Sequence, residues 1–393
     1  MDTPIPTDVL VVGGGPAGLA CAAALGTLGL TVAVADPRPV VASEDDAEAD
    51  LRSTAMLQPS RDLLEAVGAW DRMAADATPL QVMRMVDATR TPPVVRDFDA
   101  NDVSDRPFGW NLPAWAIRKA VAERVAEIDA VTPHASGLAA LLPRSTGARA
   151  TLEDGTRFDA RLVVGADGRD SRVRALLGIG AKTVRYGQTA LVFAVTHERP
   201  HDHVSTEVHR AGGPFTLVPL PDRDGRPCSA VVWMDDAAEQ ARRMELDADA
   251  FSAEATERSA DAQGALALVG RRAAWPIATT VATRMTGPRT ALVAEAAHAM
   301  PPIGAQGLNT SLRDVACLRD LCERRPSEIG EPAWLDAYAR ARHPDAVMRA
   351  AGIDGLNRVS QSGGLAGLRA LGIGLLHDVA PLRRLAMRMG LGT

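Results

Sequence analysis

Cysteine is scarce in this chain. Cys21, Cys228, Cys317 and Cys322 are the four thiols among 393 residues, and none falls in a CxxC or Cys/His spacing. So sparse a set makes no disulfide framework, and it fits a reducing, cytoplasmic setting. An excess of positive charge is missing too: 43 basic against 49 acidic side chains leave a net charge of −6, which removes the electrostatic drive toward nucleic acid. No repeat or low-complexity tract appears, and a mixture of 46% hydrophobic and 23% charged residues excludes disordered and fibrous chains. The eight histidines suggest no metal site, His201-Asp202-His203 reading as a polar loop. Val9 to Ala35 carries no charge, but the Gly13 to Gly18 run inside it would break a membrane helix. The charges before it, Asp2 and Asp8, have the wrong sign for a secretory signal.

What is present begins with a βαβ pattern. Asp8 to Val12 is a β-branched run suited to a buried parallel strand, and it leads directly into Gly13-x-Gly15-x-x-Gly18. A helical stretch from Leu19 to Leu28 follows, then a second strand from Leu30 to Ala35 that ends at Asp36. Gly13 would make the tight turn, Gly15 would let backbone approach a pyrophosphate, and Gly18 would let helix and strand pack closely. The carboxylate of Asp36 would accept hydrogen bonds from a ribose. NAD and FAD both use such a unit, so it predicts a dinucleotide without choosing between them.

Two distant segments make the choice. Arg161 to Gly165 reads as another buried strand, ending in Ala166-Asp167-Gly168 before a helix from Arg172 to Leu177. Thr290 to His298 reads as a third, followed by the loop Pro301 to Asn309 that opens a helix through Leu318. That loop points free backbone N–H groups at an electron-rich partner such as a reduced flavin. With the Gly13 to Gly18 unit, Arg52 to Ala55 ahead of a helix from Gln58 to Val67, the segment Gly213 to Pro221, Ser229 to Trp233 and the tail Ala380 to Arg384, these motifs carry a resemblance that covers nearly the whole chain. The sequence resembles the FAD-dependent aromatic hydroxylases, class A flavoprotein monooxygenases, and within them the ubiquinone-biosynthesis hydroxylases.

That resemblance implies an α/β fold: a Rossmann-like FAD domain of the p-hydroxybenzoate-hydroxylase type, an inserted antiparallel sheet for substrate and a C-terminal helical segment. The FAD domain is expected over 1–75, 102–180 and 278–345, the substrate domain over 76–101 and 181–277, and the helical segment over 346–393. It also implies that Gly13, Gly15, Pro16, Ala17 and Gly18 cradle the pyrophosphate and that Asp36 holds the adenosine ribose. Arg38, Arg52 and Arg118 would contact the cofactor, Asp167 would belong to the FAD and NAD(P)H motif, and Glu295 would lie beside the ribitol. Pro302, Gly304, Ala305, Gln306, Gly307, Leu308 and Asn309 would run along the isoalloxazine edge. Trp233 and Pro219 are expected in the substrate pocket, and His298 as a packed loop histidine. There would be no catalytic side chain, because the flavin carries the chemistry, with NAD(P)H as a transient reductant and O2 as co-substrate.

The substrate implied is a phenol, polyprenylated in the ubiquinone branch. The basic, Leu-rich stretch from Leu365 to Leu391 suggests peripheral contact with an anionic membrane face, against packing on the FAD domain. A place in a quinone-synthesis complex would follow. Three features depart from the family pattern: Ala294-Glu295 stands for Gly-Asp, Gly304-Ala305 for Ala-Gly, and Ala114-Trp115 opens a helix where a polar residue is frequent. Rival readings are a prenyl reductase of the same superfamily and a flavin-binding scaffold subunit. A halogenase is disfavoured, since Lys119 and Lys182 are the sole lysines.

Overall fold

The computed structural model describes residues 3–41, 43–89, 91–210, 212–361, 377–378 and 380–391. Its centre is the strand Ile5–Val12, whose Val9, Leu10 and Val11 are fully buried. It pairs in parallel with Val32–Ala35 on one side and Arg157–Gly165 on the other. Val131–His134 and Thr290–Leu292 extend the sheet in the same direction. Such both-sided burial is why these strands read as unbroken apolar runs rather than alternating ones. The helix Pro16–Gly26 is buried from Ala17 to Gly26, lying between the helices Ala114–Ala126 and Gln306–Arg324. Its Ala20, Ala22, Ala23 and Ala24 are small enough to let those neighbours approach.

A second sheet of eight strands stands apart. In spatial order it runs His298–Ala299, Leu266–Ala282, Ala181–His197, Arg226–Asp236, Gly213–Arg223, Val204–Arg210, Val82–Asp87 and Val94–Asp99. All neighbours are antiparallel except Val204–Arg210 with Val82–Asp87. The strand period of two divides its side chains sharply. Leu191, Phe193, Val208, Phe215, Leu217, Val231 and Trp233 face the helix Ala248–Arg258, packing on Phe251 and Ala255. The opposite face looks back at the first domain. The two 17-residue strands Ala181–His197 and Leu266–Ala282 connect the domains, with register shifts between Arg185 and Thr189 and between Val192 and Ala194 that bend them.

Between the sheets, Ser53–Leu57, Gly109–Pro113 and Thr78–Leu80 form a small sheet of their own. The helix Ala380–Leu391 docks beside it, Met387 packing with Leu57, Ala100 and Phe108, and Arg383 reaching Asp102 at 2.9 Å. The expected start of the C-terminal segment at 346 falls inside one helix, Pro332–Gln361, which continues through Pro344. Of the stretch expected to meet a membrane, 365–376 lies outside the described residues.

Candidate active site

The turn after Ile5–Val12 closes only because side chains are absent from it. Gly13 has φ +111°, and a Cβ there would stand 2.3 Å from the Ala166 carbonyl oxygen. A Cβ on Gly18 would stand 1.9 Å from the Gly13 oxygen. Gly15 is different: its backbone is extended, and a Cβ would meet nothing within 4 Å. The open space at Gly15 lies at the N-terminus of Pro16–Gly26, with Pro16 and Ala17 beside it, where unpaired N–H groups favour an anion. By charge and by room the place fits the pyrophosphate of FAD.

Asp36 ends the next strand at the same edge. Its Oδ2 accepts from the Gly14 N–H at 2.5 Å and its Oδ1 from the Arg38 N–H at 2.8 Å. Burial would raise its pKa, but these hydrogen bonds and the Arg38 charge outweigh it, so the carboxyl lies below its ordinary range and is ionised at neutral pH. Remaining lone pairs can take ribose hydroxyls. Arg38 rests on Asp36 at 3.4 Å with its side chain 68% exposed. Arg118 lines the cavity but braces the turn, donating to the carbonyls of Gly14 (2.8 Å), Pro39 (2.6 Å) and Arg38 (3.0 Å). Partial burial lowers its pKa.

Further along the cleft, Glu295 meets Arg169 at 3.2 Å and Arg52 at 3.8 Å. Arg52 is also held by Asp50 at 2.6 Å and lies 4.4 Å over the Trp275 ring. Burial works against its charge, yet Asp50 and Glu295 leave its pKa raised. The extra methylene of Glu295, relative to the usual aspartate, lets it serve two guanidinium groups. Ala294 adopts φ +55°, a left-handed conformation that costs a non-glycine residue roughly 1–2 kcal/mol, and its N–H is anchored on Asp314 Oδ2 at 3.2 Å. Asp167 lines the cleft while its oxygens hold the local turn, accepting from Ser171 Oγ (2.5 Å) and the Val173 N–H (3.0 Å).

Pro302, Gly304, Ala305, Gln306, Gly307 and Leu308 all line the same cavity. Gly304 and Ala305 are both left-handed, φ +62° and +55°, and swing the chain into Gln306–Arg324 so that its N-terminus faces inward. Asn309 is not part of the cavity lining. It is 1% exposed and acts as a clasp, accepting from Leu57 N–H (2.9 Å) and donating to the carbonyls of Ala55 (2.7 Å) and Ala305 (2.6 Å). Below the loop His298 Nε2 sits 2.7 Å from Asp314 Oδ2, and Arg342 Nε 2.8 Å from Asp314 Oδ1. His298 is a buried supporting group, away from the reaction space.

The cavity has a volume of about 2320 Å³ and runs from the glycine turn to the facing sheet. That is more than the roughly 300–1,000 Å³ of a site for one drug-sized ligand. Trp233 does not reach it. Adjacent residues on a strand point to opposite faces, and Trp233 points into the core against Phe215 and Phe251, leaving Val232 in the cavity wall. Pro219 likewise turns away, and its contribution is a carbonyl that accepts from Asn111 Nδ2 at 2.9 Å. That bond fixes the amide so that Asn111 Oδ1, buried in the cavity wall, has no partner among the described residues.

The sequence reading also missed Glu207 and His209, which line the cavity with Ser205 and Thr216. An acid and an imidazole two apart in a strand, either side of the buried Val208 of the other face, were the available signal. Burial would raise the Glu207 pKa, but His209 more than offsets this and the carboxyl lies below its usual value. His197 and His201 are four residues apart with rings 6.2 Å apart, but His197 is engaged by Ser229 and Arg199 and His201 by the Leu220 carbonyl. Among the described residues no three His, Cys, Asp or Glu side chains come together as a metal site.

The FAD binding domain family matches residues 6–351. Ubiquinone hydroxylase UbiL of Rhodospirillum rubrum is 36% identical to the chain over 98% of this chain and 90% of its own length. The 3-demethoxyubiquinol 3-hydroxylase of Escherichia coli is 29% identical over 98% and 99%. Among solved structures, p-nitrophenol 4-monooxygenase PnpA from Pseudomonas putida superposes with a TM-score of 0.80 over 99% of both chains at 18% identity, a likeness of fold. With the glycine turn, the inward helix terminus and the facing sheet already in place, these matches show that the chain belongs to the FAD-dependent aromatic monooxygenases, in the family of the ubiquinone hydroxylases.

Proposed function

We propose that this FAD-dependent hydroxylase acts on a prenylated phenol on the way to ubiquinone, adding one oxygen from O2 with NAD(P)H as reductant. The observation that carries this reading is the continuity of the cavity: one space joins the cofactor cradle to a wall rich in Met83, Met85, Phe98, Phe108 and Met387. Flexible thioethers and aromatic rings suit an isoprenoid tail better than a compact polar substrate. Bound and reduced FAD supplies the oxygen chemistry, and NAD(P)H reaches it transiently, since the chain has no second glycine-rich dinucleotide unit. The protein's own residues bind, orient and keep the ring dry. Asn111 Oδ1 offers a fixed acceptor to a hydroxyl, and the sheet closes the side of the cavity opposite the cofactor cradle.

The helix Ala380–Leu391 supports a further element of the reading, peripheral contact with membrane lipid. Ala386, Met387 and Gly390 border the cavity while Arg384, Leu385 and Arg388 are exposed, so one face roofs the tail channel and the other carries basic and apolar groups outward. No helix among the described residues is long and apolar enough to cross a membrane. The test is turnover of a short-tailed 2-prenylphenol by the FAD-loaded protein with NADPH under 18O2. A product carrying one labelled oxygen supports the reading, addition of two hydrogens makes the protein a prenyl reductase, and no substrate-stimulated NADPH oxidation makes it a scaffold.

A further inference from the structure

The cavity side of the second sheet carries an acid and an imidazole among apolar and hydroxyl side chains. Glu207 and His209, two apart on Val204–Arg210, project from one face. Register places Glu207 opposite Thr216, and Thr216 opposite Val232, which packs near Ile303 of the cofactor loop. At roughly 4.8 Å per strand, Glu207 is two strands, roughly 10 Å, from Val232, a span a substituted aromatic ring can bridge.

The pair is built unlike a surface ion pair. His209 Nε2 lies 2.8 Å from Glu207 Oε1 as a close contact without hydrogen-bond geometry, His209 is 6% exposed, and neither of its ring nitrogens has a hydrogen-bond partner among the described residues. Glu207 keeps 27% of its side chain open, and it lines the cavity. Enclosing an acid and an imidazole in an apolar wall is unfavourable for folding alone, so the arrangement points to a ligand that exchanges a proton with it. The neighbouring charges are few. Asp87 is the register partner of His209 on Val82–Asp87 and accepts from Thr89, while Pro214 and Thr216 on the other side do not titrate near neutrality. Arg96 on the outer strand faces Asp378 at 3.7 Å.

We propose that Glu207 is the catalytic base for the phenolic hydroxyl of the substrate and that His209 is the positioning residue behind it, which takes the proton onward. The phenol O–H bond breaks and an O–H bond forms on Glu207, the electron pair staying on the phenol oxygen. The proton passes through the carboxylate to His209 Nε2, leaving a carboxylate–imidazolium pair beside a phenolate. No oxidant enters this step. The phenolate ring is richer in electrons at the carbons ortho and para to its oxygen, where aromatic hydroxylation occurs. The assignment rests on the hydroxylase reading above.

The probe is 2-propylphenol labelled with 13C at the hydroxyl-bearing carbon, bound to the oxidised, FAD-loaded protein without NAD(P)H. Its chemical shift reports ionisation, which in wild type should occur at a pH below the value of about 10 typical of a phenol. Glu207→Gln should return the midpoint to that of the free phenol. It should also lower kcat by about 10²–10⁴-fold at neutral pH, a loss that shrinks as the pH rises toward about 10. Glu207→Asp should restore part of the rate, and His209→Asn should lower kcat and change the acidic limb of the pH profile with little change in KM. Visible absorbance of bound FAD checks that each variant is folded, and if a variant loses FAD the wild-type titration alone decides. The base assignment is overturned if the bound phenol ionises in wild type no more readily than in water, if Glu207→Gln turns over at the wild-type rate, or if its loss is the same at every pH. Wild-type protein that holds FAD yet adds oxygen to no phenol overturns the hydroxylase reading, and the base with it.

Discussion

The two walls of the cavity are made of different material. The cofactor side presents backbone: missing side chains at Gly13, Gly15 and Gly18, left-handed turns at Gly304 and Ala305, and two helix N-termini. Its charged residues mostly serve that backbone, Arg118 bracing carbonyls, Asp167 holding a turn and Asp314 gathering His298 and Arg342 beneath the loop. The facing side presents side chains on a regular sheet, where every second residue belongs to the wall and its neighbour to a separate core. Backbone cradles admit few substitutions and suit a ligand that never changes. A sheet face can be repapered one residue at a time without touching the fold, which suits a substrate that differs between relatives.

The strongest way to break that comparison is to attack the support on each side. Asp314→Ala should cost about 3–5 kcal/mol by chemical denaturation, because it leaves His298 and Arg342 buried without their partner. Trp233→Ala should cost a similar 3–5 kcal/mol as a core truncation, with the KM for phenol unchanged. Val232→Trp on the same strand should do the reverse, raising KM through the cavity wall with stability nearly intact. If Trp233→Ala changes KM as strongly as Val232→Trp does, the two faces are not separate.

Next, the cradle itself can be divided. Gly18→Ala forces a Cβ against the Gly13 carbonyl, so it should lower the melting temperature of the apoprotein as well as abolish FAD binding. Gly15→Asp has room in the protein but places a side chain and a negative charge where the pyrophosphate belongs. It should abolish FAD binding while the apoprotein melts as wild type does. Full FAD occupancy in Gly15→Asp would remove the pyrophosphate from this turn.

The same contrast explains what could be read from the amino-acid sequence. The cradle was legible because each requirement is local: Gly13, Gly15, Gly18 and Asp36 act within one βαβ unit, and the loop from Pro301 announces its own helix. The bracing by Arg118 and the clasp made by Asn309 were not legible, since a residue beside a cofactor and a residue that clasps the loop beside it have the same neighbours in sequence. On the sheet side, Trp233 was placed in the pocket because an apolar strand with both faces covered gives no alternation to say which residue faces which way. Glu207 and His209 were overlooked for a related reason: their meaning depends on Val232 and Ile303, which are distant in sequence and adjacent only after the sheet closes on the loop.

A smaller effect is expected at the ribose. Asp36→Ala removes charge-assisted hydrogen bonds worth on the order of 1.5–3 kcal/mol, so the Kd for FAD should rise about ten- to a hundredfold. Turnover per bound flavin should stay the same. Because the carboxyl of Asp36 lies below its ordinary range in the folded protein, its contribution is fully present above the usual value of about 3.9 and is lost only as pH falls through the lowered one. FAD retention should therefore be flat from about pH 8 to 5, as far as Asp36 decides it, and the difference between wild type and Asp36→Ala should close only in stronger acid. A gap that closes near pH 6 would mean that another group holds the ribose.

The weakest contact should be the one between protein and membrane, and it is the place where the substrate wall meets the outside. Arg384 and Arg388 are exposed on the helix Ala380–Leu391, beside Leu385 at 56% exposure, while Met387 on the other face packs on Leu57, Ala100 and Phe108. A basic residue near an anionic surface contributes about 1 kcal/mol, so Arg388→Ser should weaken binding to vesicles containing phosphatidylglycerol about fivefold, and the effect should fade with added salt. Hydroxylation of a short-tailed phenol in solution should not change, because Arg388 is exposed and stands outside the cavity lining. Should the variant lose turnover or FAD along with vesicle binding, the helix is a structural part of the cavity on both of its faces. Should wild type ignore anionic vesicles altogether, a prenylated substrate must reach the channel by some other route.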